Sequence, residues 1–326
     1  MSTKNDILTI LENERERFVS GQELGDKLNI SRTAIWKAIK SLQEEGHKIC
    51  AVTNKGYKFD ESSDLISEEG IRMNLPQELN QNPIIVYKST NSTNTQAKRL
   101  ALEGALHGTV IVAEEQTAGR GRSGKTFFSP HGTGLYASVI LRPNFGLSEP
   151  QMITIATAVA VCKAIEKLTE LHPQIKWVND IYLNGKKICG ILTEAVTDFE
   201  SGGIECIVVG VGINCQTSDE LPEELHEIVG ALDTAGISRN RLAAEIVSGI
   251  MSGLDNLSDS SCIDEYRSRS LMTGKHISFT REGKSVSAVV TGINDLGNLL
   301  VRSDNGEDII LSSGEVSLGH LPQEKS

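Results

Sequence analysis

Apolar residues fall at helical spacing three times within the first 44 positions and then give way to alternation. Helices are expected over residues 5–18, from the capping box Ser20-x-x-Glu23, and from Ser31, with residues 28–30 as the loop between the last two. On a helical wheel the third puts Ala34, Ile35, Ala38, Ile39 and Leu42 on one face and Arg32, Thr33, Trp36, Lys37 and Lys40 on the other. Residues 47–59 alternate about a turn at Asn54-Lys55-Gly56, the pattern of a two-stranded ribbon. Residues 61–69 read as a polar linker. Beyond it, apolar runs at 84–87, 109–113, 135–141, 175–178, 188–196 and 204–211 predict strands, and residues 151–171 and 239–254 predict helices. Turns at Asn184-Gly185 and Ser201-Gly202-Gly203 join strands directly, so much of the sheet is expected to be antiparallel rather than doubly wound. Residues 276–318 alternate between turns at Glu282-Gly283, Leu296-Gly297 and Asn305-Gly306, which predicts a small β-barrel.

Composition adds scale and charge to this picture. A chain of 326 residues with 39% hydrophobic content can bury a core and divide into two or three domains. The formal net charge of −11 argues against a protein that coats nucleic acid or anionic membrane over its whole surface. Residues 30–58, however, carry six Lys and Arg against two Glu, and three of the six sit on the polar face of the third helix. Helix, helix, basic helix and ribbon is the order of a winged helix-turn-helix, so Arg32, Thr33, Lys37 and Lys40 are DNA-binding candidates, with Trp36 open between packing and DNA contact. No run of about 18 apolar residues exists and residues 1–11 lack the pattern of a signal peptide, so a cytoplasmic protein with no membrane partner is expected. The six cysteines show no C-x-x-C spacing and read as reduced, packed thiols, with no metal site.

Four stretches carry chemistry. The segment from Gln116 through Gly119-Arg120-Gly121-Arg122 to Lys125-Thr126 sets cations on a glycine-rich backbone that can close over an anion. Taken literally, residues 119–126 match G-x-x-x-x-G-K-[ST], which makes a P-loop ATPase an alternative; Phe127 to Gly132 gives no helix to complete such a loop. A second cluster is Lys176-Trp177-Val178-Asn179-Asp180 followed across a turn by Lys187-Ile188-Cys189-Gly190-Ile191-Leu192. The others are Ser92-Thr93-Asn94, ahead of a helix, and Gly210-Val211-Gly212-Ile213-Asn214.

Taken in chain order, from the winged helix-turn-helix through Ser92-Thr93-Asn94, Gly119–Arg122, Lys176–Asp180, Lys187–Leu192 and Gly210–Asn214 to the small barrel, the segments resemble the biotin protein ligases, specifically the bifunctional bacterial type that also represses biotin synthesis, over nearly the full chain. The resemblance implies an α+β protein: a winged helix-turn-helix over residues 1–62, a mixed-sheet, class II synthetase-like catalytic domain over 63–270, and an SH3-like barrel over 271–326. It implies activation of biotin by ATP to biotinyl-5′-adenylate, with Mg²⁺, and transfer to a lysine of a biotin carrier protein. Arg122, Lys187 and Asp180 are then catalytic, since joining a carboxylate to a phosphate brings anions together. Ser92, Thr93, Asn94, Gln116, Arg120, Gly121, Arg122 and Lys187 would hold biotin, and Lys125, Asn179, Asp180 and Asn214 the nucleotide. Operator DNA would be read through residues 20–59 by a ligand-promoted homodimer. The family usually has proline at Val178 and often Arg and Trp at Lys125 and Phe127, and neither tryptophan here, Trp36 or Trp177, is placed to stack on adenine. A ligand-sensing transcription factor without catalysis is the other alternative; Lys187 and Asn179-Asp180 favour the enzyme.

Overall fold

The computed structural model describes residues 3–60, 63–142, 150–197, 203–234, 237–255, 257 and 259–318, and it begins with α1 (Thr3–Asn13), α2 (Gly21–Leu28) and α3 (Arg32–Glu44). Ser20 and Ser31 cap the second and third: their hydroxyls accept from Glu23 N at 3.0 Å and Ala34 N at 3.2 Å. The first helix stops well before residue 18. Glu14 to Arg17 offer no apolar face, Arg17 pairs with Glu14 and Glu23, and the chain turns so that Val19 bridges Tyr57. α3 buries Ile35, Ala38, Ile39 and Leu42 and leaves Arg32, Thr33, Trp36, Lys37 and Lys40 exposed, as the wheel predicts. The ribbon is β1 (Ile49–Val52) and β2 (Gly56–Phe59). Gly56 is irreplaceable there: its φ is 110° and a Cβ would stand 2.1 Å from Val19 O. Residues from Ile7 to Phe59 form a separate hydrophobic core.

The stretch expected as a loose linker is packed. Glu61 and Ser62 lie outside the described residues, but Ser63, Ile66 and Ser67 are buried and α4 (Glu68–Asn74) starts within it. Its backbone is satisfied from afar, Ile66 N donating to Glu114 Oε1 at 2.6 Å and Ser67 N to Asn240 Oδ1 at 2.9 Å. Arg239, buried beside it, pairs with Asp64 and Glu114, each at 2.8 Å.

The central sheet holds β3 (Ile84–Tyr87), β4 (Val110–Ala113), β5 (Gly134–Leu141), β6 (Gln174–Lys176), β7 (Asp180–Leu183), β8 (Lys186–Thr197) and β9 (Ile204–Asn214), in the spatial order β3-β4-β5-β9-β8-β7-β6. Among the paired strands of the described residues β3 and β4 alone run parallel, so the sheet is mixed and mainly antiparallel. The strand expected over 175–178 ends at Lys176; the Trp177–Val178 peptide is cis, and β7, which the apolar pattern does not announce, pairs back on β6. The turn at Asn184-Gly185 is present, while Ser201 and Gly202 lie outside the described residues. α6 (Pro150–Leu168) and α7 (Arg239–Asp255) bury apolar residues against one face, and α5 (Thr93–Leu102) sets Ala97 and Ala101 on Ile111 and Ile140 of the other. After α8 (Ser260–Ser268) comes an antiparallel sheet of β10 (His276–Arg281), β11 (Lys284–Ile293), β12 (Leu299–Ser303), β13 (Asp308–Leu311) and β14 (Val316–Leu318), ordered β13-β12-β11-β10-β14. A register shift between Val290 and Gly292 bends it, and its apolar residues join the core of the central domain. The six cysteines are free thiols, four of them buried. Among the described residues no helix is long and apolar enough to cross a membrane.

Candidate active site

The loops leaving β3 and β4 run side by side, Thr117 N donating to Thr90 O at 2.8 Å and Ala118 N to Asn91 O at 2.9 Å. That pairing brings Gln116 against the start of α5, where Ser92 is the N-cap. Gln116 Oε1 accepts from Thr93 N at 2.8 Å and from its hydroxyl at 3.2 Å, and the Gln116 amide donates to Ser129 Oγ at 2.9 Å. Asn94 is held still more closely. Its oxygen accepts from Ser138 at 2.7 Å, and its amide donates to Leu192 O at 3.1 Å and Glu194 Oε2 at 2.9 Å. A Cβ on Gly210 would lie 2.1 Å from that oxygen, so the glycine makes room for the asparagine. Asn94, expected to bind ligand, thus has both amide hydrogens engaged inside the protein.

Residues 119–127 form a hairpin, closed by Gly121 N to Lys125 O at 2.7 Å and Phe127 N to Gly119 O at 2.9 Å, with Ser123 and Gly124 at positive φ at its tip. No helix follows Thr126, and Lys125 stands on the hairpin's returning limb. The convergent N–H groups of a P-loop are therefore lacking, and the ATPase alternative falls with them. Arg122 donates to Asn179 Oδ1 at 2.9 Å, and Asn179 donates to Ile191 O at 2.9 Å. Lys187 Nζ lies 2.7 Å from Asp180 Oδ1 as an ion pair whose approach is not that of a hydrogen bond, so this buried oxygen has no hydrogen-bond donor. Lys125 reaches Glu315, ahead of β14, at 2.7 Å and holds that carboxyl below its usual range. Burial, with Lys187 and Lys125 nearby, pushes Lys176 down against the opposing pull of Asp180. With Arg120, five cations and two carboxylates thus line one cleft.

The cleft brings together Ser92, Thr93, Asn94, Gln116, Arg120, Gly121, Arg122, Lys125, Asn179, Asp180 and Lys187 from segments far apart in the chain. Asn214 lies apart from them, in an adjoining cavity that shares Lys125, Asp180 and Lys187. Leu221, Leu225, Ile228 and Val229 make much of that second wall apolar. Phe127 borders both spaces and lies over Gly190 and Gly212, where Cβ atoms would meet its ring at 3.3 Å and 2.6 Å. The aromatic side chains bordering the second cavity are Phe127, Phe128 and Tyr182, none of them tryptophan. Tyr182, Glu315 and the 221–229 segment were not among the expected site residues. Tyr182 sits on the unannounced β7, and nothing in the 221–229 pattern announces that Val229 bridges Lys187, 42 residues earlier. The DNA-binding candidates lie on α3, with Trp36 54% exposed and Lys40 Nζ 5.5 Å from its ring, so the tryptophan does not plug the helix junction. No group of three His, Cys, Asp or Glu able to hold a metal exists among the described residues.

Comparison with known proteins agrees along the chain. The Biotin/lipoate A/B protein ligase family matches residues 86–214, an HTH domain residues 3–58, and the Biotin protein ligase C terminal domain residues 273–319. The bifunctional ligase/repressor BirA of Bacillus subtilis is 38% identical over 233 residues, 71% of each chain. That of Escherichia coli is 30% identical over 311 residues, 91% of this chain and 94% of its own. Among solved structures, the biotin protein ligase from Aquifex aeolicus in complex with biotin and ATP superposes with a TM-score of 0.62 at 27% identity, covering 73% of this chain and 99% of that one.

Proposed function

This chain belongs to the family of bifunctional biotin ligase/repressors, and from that premise we propose how its cleft performs the reaction. The protein uses ATP to activate biotin to biotinyl-5′-adenylate, transfers biotin to a lysine of a carrier protein, and represses transcription through its DNA-binding domain. That family membership sets aside the alternative of a sensor without catalysis. We keep the division into residues 1–62, 63–270 and 271–326. The observation that carries the mechanistic reading is the pair of adjoining cavities with a common charged wall: a polar one suited to a ureido ring, and a largely apolar one suited to a nucleobase.

In this reading biotin lies against Ser92, Thr93, Gln116 and the Arg120–Arg122 turn, Asn94 shaping the floor beneath it. The nucleotide lies toward Asn214, and the reacting carboxylate and α-phosphate meet at the shared wall. Arg122 and Lys187 are already fixed there, by Asn179 and Asp180, so they stabilise the charge that accumulates as the phosphate is attacked without reorganising. Biotin's carboxylate displaces pyrophosphate, and no covalent enzyme nucleophile is needed. Asp180, whose buried Oδ1 pairs with Lys187 but accepts no hydrogen bond, is the residue that would hold a Mg²⁺ here, and the ion would supply charge neutralisation of the phosphates. In the second step Asp180 orients the carrier's amine toward the adenylate carbonyl, and the hairpin excludes water from the anhydride. Biotin-dependent exchange of pyrophosphate into ATP tests this account; exchange independent of biotin, or none, contradicts it.

Dimerisation completes the repressor. β7 pairs with β8 only as far as Gly190, so among the described residues no strand covers that flank of β8 beyond Ile191. A second copy adding its own edge there would set two winged helices for a two-fold operator. The expected result is a shift to dimer in sedimentation with biotin plus ATP and none with ATP alone. Equal sedimentation in the two conditions refutes the coupling.

A further inference from the structure

Glu194 lies on β8 in alternation with Gly190, beneath the Phe127 ring, and Leu192, which lines the cleft. Its carboxylate gathers two hydrogen-bond donors and one further ion pair, from two different elements. Asn94 and Lys98 of α5 reach it at 2.9 Å each, and Arg120 of the hairpin at 3.3 Å. Burial opposes its ionisation, yet the hydrogen bonds from Asn94 and Lys98 and the charges of Lys98 and Arg120 hold it below the usual carboxylate range. An exposed ion pair of this kind would contribute little. Here Arg120 is 48% exposed but the carboxylate is only 19% exposed, and it is continuous with the cleft floor, since the same Asn94 is wedged between Ser138 and Gly210.

We infer that Glu194 is a positioning residue for the biotin half of the site: it holds Arg120, and with it the hairpin, against the edge of β8. Glu194 lines neither cavity itself. Its influence passes through Arg120 and Asn94, so it bears on ligand capture and retention rather than on the rate of the chemical step. This rests on the assignment of the hairpin to biotin made above.

The test uses the full chain and three variants, Glu194→Gln, Arg120→Ala and the two combined. Glutamine keeps an oxygen for Asn94 but removes the charge that draws Arg120, and thermal midpoints show whether each variant is folded. Glu194→Gln is expected to raise the KM for biotin in adenylate formation up to about fivefold, the scale of one partly exposed ion pair, with kcat little changed. Because the effect runs through Arg120, the double variant is expected to be no worse than Arg120→Ala alone. Additive effects, or an unmoved KM in a folded Glu194→Gln beside a raised one in Arg120→Ala, overturn the inference. An unmoved KM in Arg120→Ala removes the assignment of the hairpin, and the inference with it.

Discussion

Replacing Lys187 by Met keeps most of the length of the side chain and removes its ammonium, charge and donors together, which makes it the sharpest probe of the shared wall. In the native cleft Lys187 sits 2.7 Å from Asp180, with 28% and 21% of the two side chains exposed, and the paired Asp180 oxygen takes no hydrogen bond. The variant therefore does two things at once. It leaves a largely buried carboxylate without its cation, which costs about 1–3 kcal/mol of folding stability. It also removes one preorganised positive group from the place where the α-phosphate reacts, which costs on the order of 10²–10³ in the adenylation rate. The first effect is read from the thermal or urea midpoint, the second from pyrophosphate release in single turnover with saturating biotin and ATP. A folded Lys187→Met protein that releases pyrophosphate within a few-fold of the parent rate refutes the placement of the reacting phosphate at this wall.

Gly212→Ala should weaken nucleotide and biotin binding together, because its Cβ would stand 2.6 Å from the Phe127 ring and push it into both cavities; a change in one KM only, seen by steady-state kinetics, contradicts that. Arg239→Met should lower stability by about 3–5 kcal/mol, since it leaves Glu114, 2% exposed, and Asp64 without their cation; an unchanged urea midpoint would mean that the network is not a buried one. Lys37→Ala and Lys40→Ala should each weaken binding to all DNA sequences alike and lower the salt slope of affinity by about one unit, whereas unchanged slopes would return these lysines to a merely solvated face.

Much of this was legible in the sequence because local signals and tertiary structure agree. Ser20 and Ser31 cap the helices they announce, and the opposed faces of α3 are buried and exposed as the wheel requires. The order of motifs identified the cleft, whose polar residues converge from separate loops and strand ends. What escaped depends on partners distant in sequence. The stretch after Asp60 looks polar, but Glu114, Arg239 and Asn240 satisfy its backbone and charge from 48 to 175 residues away. β7 is four residues long and opens on a carboxylate, so alternation cannot mark it. Asn94, expected to hold biotin, also makes contacts with Ser138, Leu192 and Glu194 that no local pattern announces. Lys125 reads as a phosphate ligand, and here it also ties the hairpin to Glu315 of the C-terminal region.

The central claim is that this chain carries a biotin ligase's chemistry in one cleft, and mass spectrometry of a carrier tests it most directly. The purified protein is incubated with biotin, ATP–Mg²⁺ and a biotin carrier domain, and the carrier is weighed. The account predicts that the carrier gains the mass of one biotinyl group at a single lysine, only when both biotin and ATP are present, and that Lys187→Met slows the gain. A carrier of unchanged mass after prolonged incubation with folded protein contradicts it.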